Sequence, residues 1–402
     1  MRVSTSMAFE LGVTTINRQQ AELLKTQQQL STGRRVVSAA DDPAAAARAV
    51  EVSSGASRNT RYIANQDAAR TSLLQVESTL GQVSDALQDV RALLVQAGNG
   101  SYSDNERANI AADLRSRNEY LMSLANARDA NGAYIFSGFQ ENVQAFAHSA
   151  AGIVYQGDQG SRELQVSDGR RLPVGASGAE IFERVRTGNG VFETGGLAAN
   201  TGSAVIDGGQ VIGASQLNGH AYRLTFHVAA GVTTYDLTDT TLGTAVSTAN
   251  AYVPGGQINI AGMQTQVNGS PDEGDALTIA PSPMKSLFQT IASAIAVLRA
   301  PAGAVAAKAQ LQMGMASAVA GVDRAMDSAS LARSNAGAGL RELDALKSFS
   351  DGRDLQYKTE LSDLLDVDYT KAISDLTRQQ TMSQATQKAF VNMVGHNLFD
   401  LL

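Results

Sequence analysis

Leu73-Leu74-Gln75-Val76-Glu77-Ser78-Thr79-Leu80-Gly81-Gln82-Val83-Ser84-Asp85-Ala86-Leu87-Gln88-Asp89-Val90-Arg91-Ala92-Leu93-Leu94 is the stretch on which the fold turns. Leu73, Val76, Leu80, Val83, Leu87, Val90 and Leu94 recur at spacings of three and four, the period of a helix that buries one stripe against another helix. Upstream, Asp41-Asp42-Pro43 places Asp42 as N-cap and Pro43 at the first helical position, where a missing N–H costs nothing. The alanines 44–47 that follow favour helix, and Gly98-Asn99-Gly100 closes it. A second helix carries Ile110, Leu114, Leu121 and Leu124 in the same rhythm, interrupted by Arg117.

Further along, the pattern changes twice. Residues 140–283 hold 22 of the 37 glycines. There Tyr222–Phe226 and Thr233–Leu237 alternate around Gly231, and Gln257–Ile260 and Gln264–Val267 flank Ala261-Gly262, so two hairpins are expected. Ala276–Ile279 reads as a further strand, whereas Gly188–Gly196 and Gly208–Gly213 read as loops or bulges. Beyond Pro283 the helical period returns at Leu287, Ile291, Ile295 and Leu298. It continues along Met315, Val319, Val322, Met326, Ala329, Arg333, Ala336, Leu340 and Leu343. The expected class is α+β: helical arms at both ends enclose an inserted β-rich segment.

The terminal stripes differ from the central one. The first runs Ile16, Gln20, Leu23, Gln27, Leu30; the last runs Tyr369, Ile373, Leu376, Gln380, Ser383, Gln387, Phe390, Val394, Asn397, Leu401. A buried apolar seam residue contributes roughly 1.5–3 kcal/mol, whereas a seam glutamine contributes far less and needs a partner. The assembly residues expected on these stripes are Ile16, Leu23, Leu30, Ile373, Leu376, Phe390, Val394 and Leu401. Two readings stay open at this point: ends that order only when neighbouring subunits supply contacts, or an ordinary coiled coil whose polar residues set register.

Composition narrows the function classes. A net charge of -7 argues against a nucleic-acid backbone or an anionic membrane as partner. With no cysteine, disulfides and thiol chemistry are absent. No secretory signal is readable at the start, and the apolar run 291–307 is broken by Arg299 and Pro301. On these grounds alone the chain reads as soluble and cytoplasmic. His148, His220, His227 and His396 form no metal-binding spacing, and His220 and His227 are expected in a strand region without nearby acidic ligands. Gly175-Ala176-Ser177-Gly178 is one residue short of a nucleophile elbow. Asp41-Asp42 reads as capping, and Asp272, Glu273 and Asp275 read as turn residues rather than a calcium loop. No catalytic, cofactor or metal site is expected, so the chain is read as a structural protein and not an enzyme.

Met1-Arg2-Val3-Ser4-Thr5, Leu30-Ser31-Thr32-Gly33-Arg34-Arg35-Val36, Asp41-Asp42-Pro43-Ala44-Ala45-Ala46 and Asn131-Gly132-Ala133-Tyr134-Ile135-Phe136-Ser137-Gly138-Phe139 stand out as motifs. Together they resemble the flagellin superfamily, most closely its hook-associated protein 3 branch. Tyr155-Gln156-Gly157-Asp158, Pro271–Ile279 and the closing Leu398-Phe399-Asp400-Leu401-Leu402 are similar too. Flagellins typically carry Ala-Ala-Gly where Pro43-Ala44-Ala45 stands here.

The resemblance implies an adaptor at the hook–filament junction, with flagellin itself as the alternative. Its implied partners are the other hook-associated junction protein, flagellin, copies of itself in a layer and an export chaperone. Export would run through the flagellar channel without a cleaved signal, which moves the expected location to the extracellular flagellum. The implied division is a terminal coiled coil from 1–40 and 358–402, a helical core from 41–139 and 284–357, and an outer β domain from 140–283.

Overall fold

The computed structural model describes residues 5–150 and 152–399. Among the described residues there are six α-helices: α1 (Thr5–Thr32), α2 (Pro43–Ala97), α3 (Asp104–Ala125), α4 (Leu287–Arg299), α5 (Val305–Leu365) and α6 (Tyr369–Phe399). The strands lie between α3 and α4, so the expected helical, β-rich, helical order is observed. Two compact units emerge, Met1–Gln66 with Ala345–Leu402, and Asp67–Asp344.

α2 starts as its sequence dictates. Asp42 Oδ1 accepts the Ala45 N–H at 3.0 Å, and the Asp42 carbonyl accepts from Ala46 at 2.9 Å. In the unit Asp67–Asp344 all seven stripe residues from Leu73 to Leu94 are buried. The facing stripe of α5 is made of smaller residues: Met315, Ala318, Val322, Ala325, Ala329, Ala336 and Leu343 are buried. Large side chains on α2 therefore fill the space left by alanines on α5. At Gly339 an added Cβ would stand 2.9 Å from Leu73 Cδ1. Three ion pairs flank this seam: Arg70–Asp344, Glu77–Arg333 and Arg91–Asp323. Their positions rise along α2 as they fall along α5, so the helices run antiparallel. Exposed pairs contribute little individually; here they pin the register.

α3 begins with a capping box outside the sequence-based expectations. Ser103 N–H donates to Glu106 Oε2 at 2.8 Å, and Glu106 N–H reaches back to Ser103 Oγ at 3.4 Å. The spacing Ser103-x-x-Glu106 is its available signal.

Between α3 and α4 stands a five-stranded antiparallel sheet. Its order is Thr244–Ala251, Val232–Asp239, Tyr222–Ala229, Ala276–Pro281, Phe192–Gly196. Both expected hairpins form, with Ala230-Gly231 and Ala261-Gly262 as two-residue turns at positive φ. Phe192, Leu224, Phe226, Ile258, Ile260, Val267, Leu277 and Ile279 make the core between this sheet and the small one built on Gln257–Asn268. Gly188–Gly196 departs from its reading as a loop, because Phe192–Gly196 pairs with Ala276–Pro281 as an edge strand. Likewise Gln210–Val211 pairs with Met263-Gln264. Glycine at an edge still supplies backbone hydrogen bonds, which composition hides.

The hairpins Phe146–Tyr155 and Glu163–Pro173 lie outside the sequence-based expectations. The first carries Phe146 into a cluster with Phe182 and Phe288, ring centroids 5.1–6.0 Å apart. Nearby, Asp158 Oδ1 accepts the Phe139 and Gly160 N–H groups at 3.0 and 2.8 Å. A Cβ at Gly138, whose φ is +73°, would collide with that carboxylate. The Ser137-Gly138-Phe139 and Gly157-Asp158 motifs are thus two halves of one tight knot.

Candidate assembly interface

The unit Met1–Gln66 with Ala345–Leu402 holds the residues that the terminal stripes singled out. Its corner, between α1 and α2, is built first. Gly33 adopts φ +70°, turning the chain so that its carbonyl accepts the Val367 N–H at 2.9 Å and Arg35 N–H donates to Leu365 O at 2.6 Å. The Arg35 guanidinium donates to Leu364 O at 2.8 Å and to Asp42 Oδ2 at 3.0 Å. Gln29 Nε2 donates to Arg35 O at 2.6 Å.

Asp41 is the knot of this corner. Its Oδ2 accepts N–H groups from Val37 at 3.1 Å and Ser38 at 2.8 Å, plus the Ser38 hydroxyl at 3.1 Å. Lys25 Nζ lies 2.7 Å from Oδ1. The Lys25 hydrogen bond, followed by the Ser38 N–H, holds the Asp41 carboxyl down to about 2. Capping by Asp42 therefore explains only half of the Asp41-Asp42 pair; Asp41 staples the loop to α1.

From this corner α1 and α6 run back antiparallel. Their facing positions are Gly12, Ile16, Gln19, Leu23, Thr26 and Leu30 on α1, and Ala372, Leu376, Gln379, Ser383, Thr386 and Phe390 on α6. The Phe9 and Phe390 rings lie 5.3 Å apart, tilted by 42°, and an added Cβ at Gly12 would meet the Phe390 ring at 2.6 Å. The expected stripes share Ile16, Leu23, Leu30, Leu376, Ser383 and Phe390 with this seam. The alternate positions sit one residue away: Gln19 rather than Gln20, Thr26 rather than Gln27, Gln379 rather than Gln380, and Thr386 rather than Gln387. Ile373 points out of the pair at 54% exposure, with Ala372 in its place. Val394 lies on α6 but its side chain is outside the described residues, and Leu401 lies outside them altogether.

Burial separates the two kinds of seam. Of the positions facing each other in α1 and α6, only Thr26, Ala372 and Ser383 are buried to core level, while Ile16, Leu23, Leu30, Leu376 and Phe390 stay half-buried. Gln19 Oε1 and Gln379 Oε1 are buried with no hydrogen-bond partner, a costly arrangement. Outside the seam, Leu11, Leu24, Ile373, Met382 and Val391 are exposed. Two helices that leave this much apolar surface in water are suited to further packing.

The histidines need one correction. Sheet pairing brings His220 Nδ1 within 2.7 Å of Asp239 and His227 within reach of both Glu273 (3.0 Å) and Asp236 (3.4 Å). Asp236 and Asp239 come from the strand Val232–Asp239 and Glu273 from the turn before Ala276–Pro281, so the fold brings them to the histidines. Among the described residues no group of three or more metal-ligating side chains forms, and no helix is long and apolar enough to cross a membrane.

Comparison with known proteins places these features. Residues 3–141 match the family model of the bacterial flagellin N-terminal helical region. Flagellar hook-associated protein 3 of Salmonella typhimurium LT2 is 29% identical over 402 residues, covering 100% of this chain and 99% of that protein. The crystal structure of Xanthomonas campestris FlgL is 30% identical, covers 76% of this chain and 97% of that one, and superposes with a TM-score of 0.71. The phase 1 flagellin of Salmonella naestved is 30% identical over only 135 residues, 34% of this chain and 27% of the flagellin.

Proposed function

Because the chain belongs to the flagellar hook-associated protein 3 (FlgL) family, we propose that it is a structural adaptor at the hook–filament junction on which flagellin assembles. One observation supports the reading over flagellin: sequence likeness to hook-associated protein 3 runs the whole chain, whereas sequence likeness to the Salmonella naestved flagellin covers 34% of it. The chain contributes surface, not catalysis. Its partners in this reading are the other hook-associated junction protein, flagellin and copies of itself in a layer, with an export chaperone before secretion. It works outside the cell, having left through the flagellar channel.

The α1–α6 pair is the part that assembly completes. Residues 1–40 and 358–402 form the conditional coiled coil, 41–139 and 284–357 the helical core, and 140–283 the outer β domain. The half-buried seam and its unpaired glutamine oxygens support this division of labour. Contacts between neighbouring subunits would then be heterologous, the kind that extends into helical assemblies. Deleting the gene should leave hooks bare of filament and flagellin in the medium; filaments of normal length on such cells would refute the adaptor role.

A further inference from the structure

The unit Asp67–Asp344 carries a groove that its own core leaves open. It encloses about 430 Å³ between α3, α4 and the hairpin Phe146–Tyr155. The floor is apolar, with Ile153, Phe288 and Ile295 buried beneath it. Ala292 and Ala296, one turn apart on α4, together with Gly152 keep that floor free of bulk, so a partner backbone can approach closely.

The rim is cationic. Arg115 of α3 and Arg299 in the last turn of α4 both line the groove, and among the described residues neither has an ion pair or side-chain hydrogen bond. The single carboxylate on the lining, Glu119, is already engaged by His148 Nε2 at 3.1 Å. In the wall, Asn118 is 8% exposed and its Oδ1 is buried without a hydrogen-bond partner. In a chain with 39 acidic against 32 basic residues, two arginines left without a carboxylate beside one apolar trough mark a place where a carboxylate is to be supplied from outside. Guanidinium groups bind carboxylates in a bidentate fork, and do so best beside a water-excluding floor.

We propose that this groove docks an acidic amphipathic peptide segment of a neighbouring flagellar subunit, with apolar side chains on the alanine floor and a carboxylate between Arg115 and Arg299. The inference rests on the flagellar reading above.

The absence of native cysteine makes the test direct, since Ala296→Cys installs a unique thiol in an exposed floor position. Maleimide labelling of the introduced thiol is compared between purified monomer and sheared surface appendages. Labelling in appendages should be at least about tenfold slower, as expected for a thiol covered by a partner. Arg115→Glu with Arg299→Glu on that background should return the rate to the monomer value, with unchanged circular dichroism of the monomer. If the double reversal is not incorporated, Arg115→Gln with Arg299→Gln gives the same readout. A benzophenone carried on the same thiol should cross-link to a peptide containing Asp or Glu from a flagellar subunit. Equal labelling in both states, protection that ignores the two arginines, or a cross-link to lipid, glycan or a peptide without acidic residues each overturns the proposal. If the chain is absent from appendages, the flagellar reading falls and takes this inference with it. If it is present with the introduced thiol open, only this inference falls.

Discussion

Gly33→Ala isolates the backbone cost of the corner that returns α6 to α1. At φ +70° an L-residue is disfavoured by roughly 1–2 kcal/mol, and alanine recovers about 0.4–1 kcal/mol of that by restricting the unfolded chain. The net loss is about 1 kcal/mol, or roughly fivefold in the equilibrium for opening the corner. The added methyl would also stand 2.9 Å from the Tyr369 hydroxyl. That oxygen ends a side chain that is 55% exposed and can swing aside, so the contact should add little. The readout is local, because Val367 N–H donates to Gly33 O and Arg35 N–H to Leu365 O. Amide hydrogen exchange of peptides spanning 33–37 and 365–369 should speed up about fivefold in Gly33→Ala monomer, while peptides of 73–94 stay unchanged. The same increase should appear when Gly33→Ala is combined with Tyr369→Phe. Unaltered protection, or an effect that vanishes beside Tyr369→Phe, would show that side-chain contact and not φ governs this corner.

Asp41 titrates low in the fold, so its contribution is fully present above the ordinary carboxylate value of 3.8 and is lost as pH falls through about 2. Protection of the Val37 and Ser38 amides should hold at pH 5 and decline between about pH 4 and 2, a decline that Asp41→Asn makes flat because protection is already low. Ala230 and Ala261 occupy positive-φ turn positions that asparagine tolerates better, so Ala230→Asn and Ala261→Asn should each raise stability by about 0.5–1 kcal/mol in denaturant titrations; a loss would mean the turns are not of that type. Leu23→Gln and Phe390→Gln should block incorporation into appendages while monomer circular dichroism from the central helices persists; normal motility in both variants would count against the terminal pair as the assembly surface.

What the sequence makes legible depends on the size of the residues that carry each pattern. Leu73 to Leu94 is legible without error because both positions of every heptad are large and apolar, and all seven are buried. The Asp42 N-cap and the two longer hairpins are equally plain, since each is signalled within a few residues. Features that depend on distant partners are not. Nothing local marks Lys25 as the counter-ion of Asp41, or Asp239 and Glu273 as partners of His220 and His227. The strand Phe192–Gly196 exists through its neighbour's hydrogen bonds rather than through a period of its own.

The seams show the same limit in its sharpest form. On α1, α5 and α6 one heptad position is large or otherwise plain, and it is found: Ile16, Leu23 and Leu30; Met315, Val322, Ala329, Ala336 and Leu343; Leu376, Ser383 and Phe390. The other position is small or polar and lies one residue from a bulkier or equally polar neighbour. Ala318 is buried in place of the expected Val319, Ala325 in place of Met326 and Ala372 in place of Ile373, and Gly339 takes the seam position expected of Leu340. Spacings of three and four are interchangeable to a reader who follows hydrophobicity, so the larger residue wins. The protein uses that difference. On α5 the small residues admit the leucines of α2, so the core closes within the chain. On α1 and α6, by contrast, Gly12, Thr26 and Ala372 take seam positions, and Ile373 is left exposed outside the pair. Misreading the second position of the heptad therefore hides part of the terminal pair: Ile373 lies outside its seam, whereas Leu23, Leu376 and Phe390 lie within it.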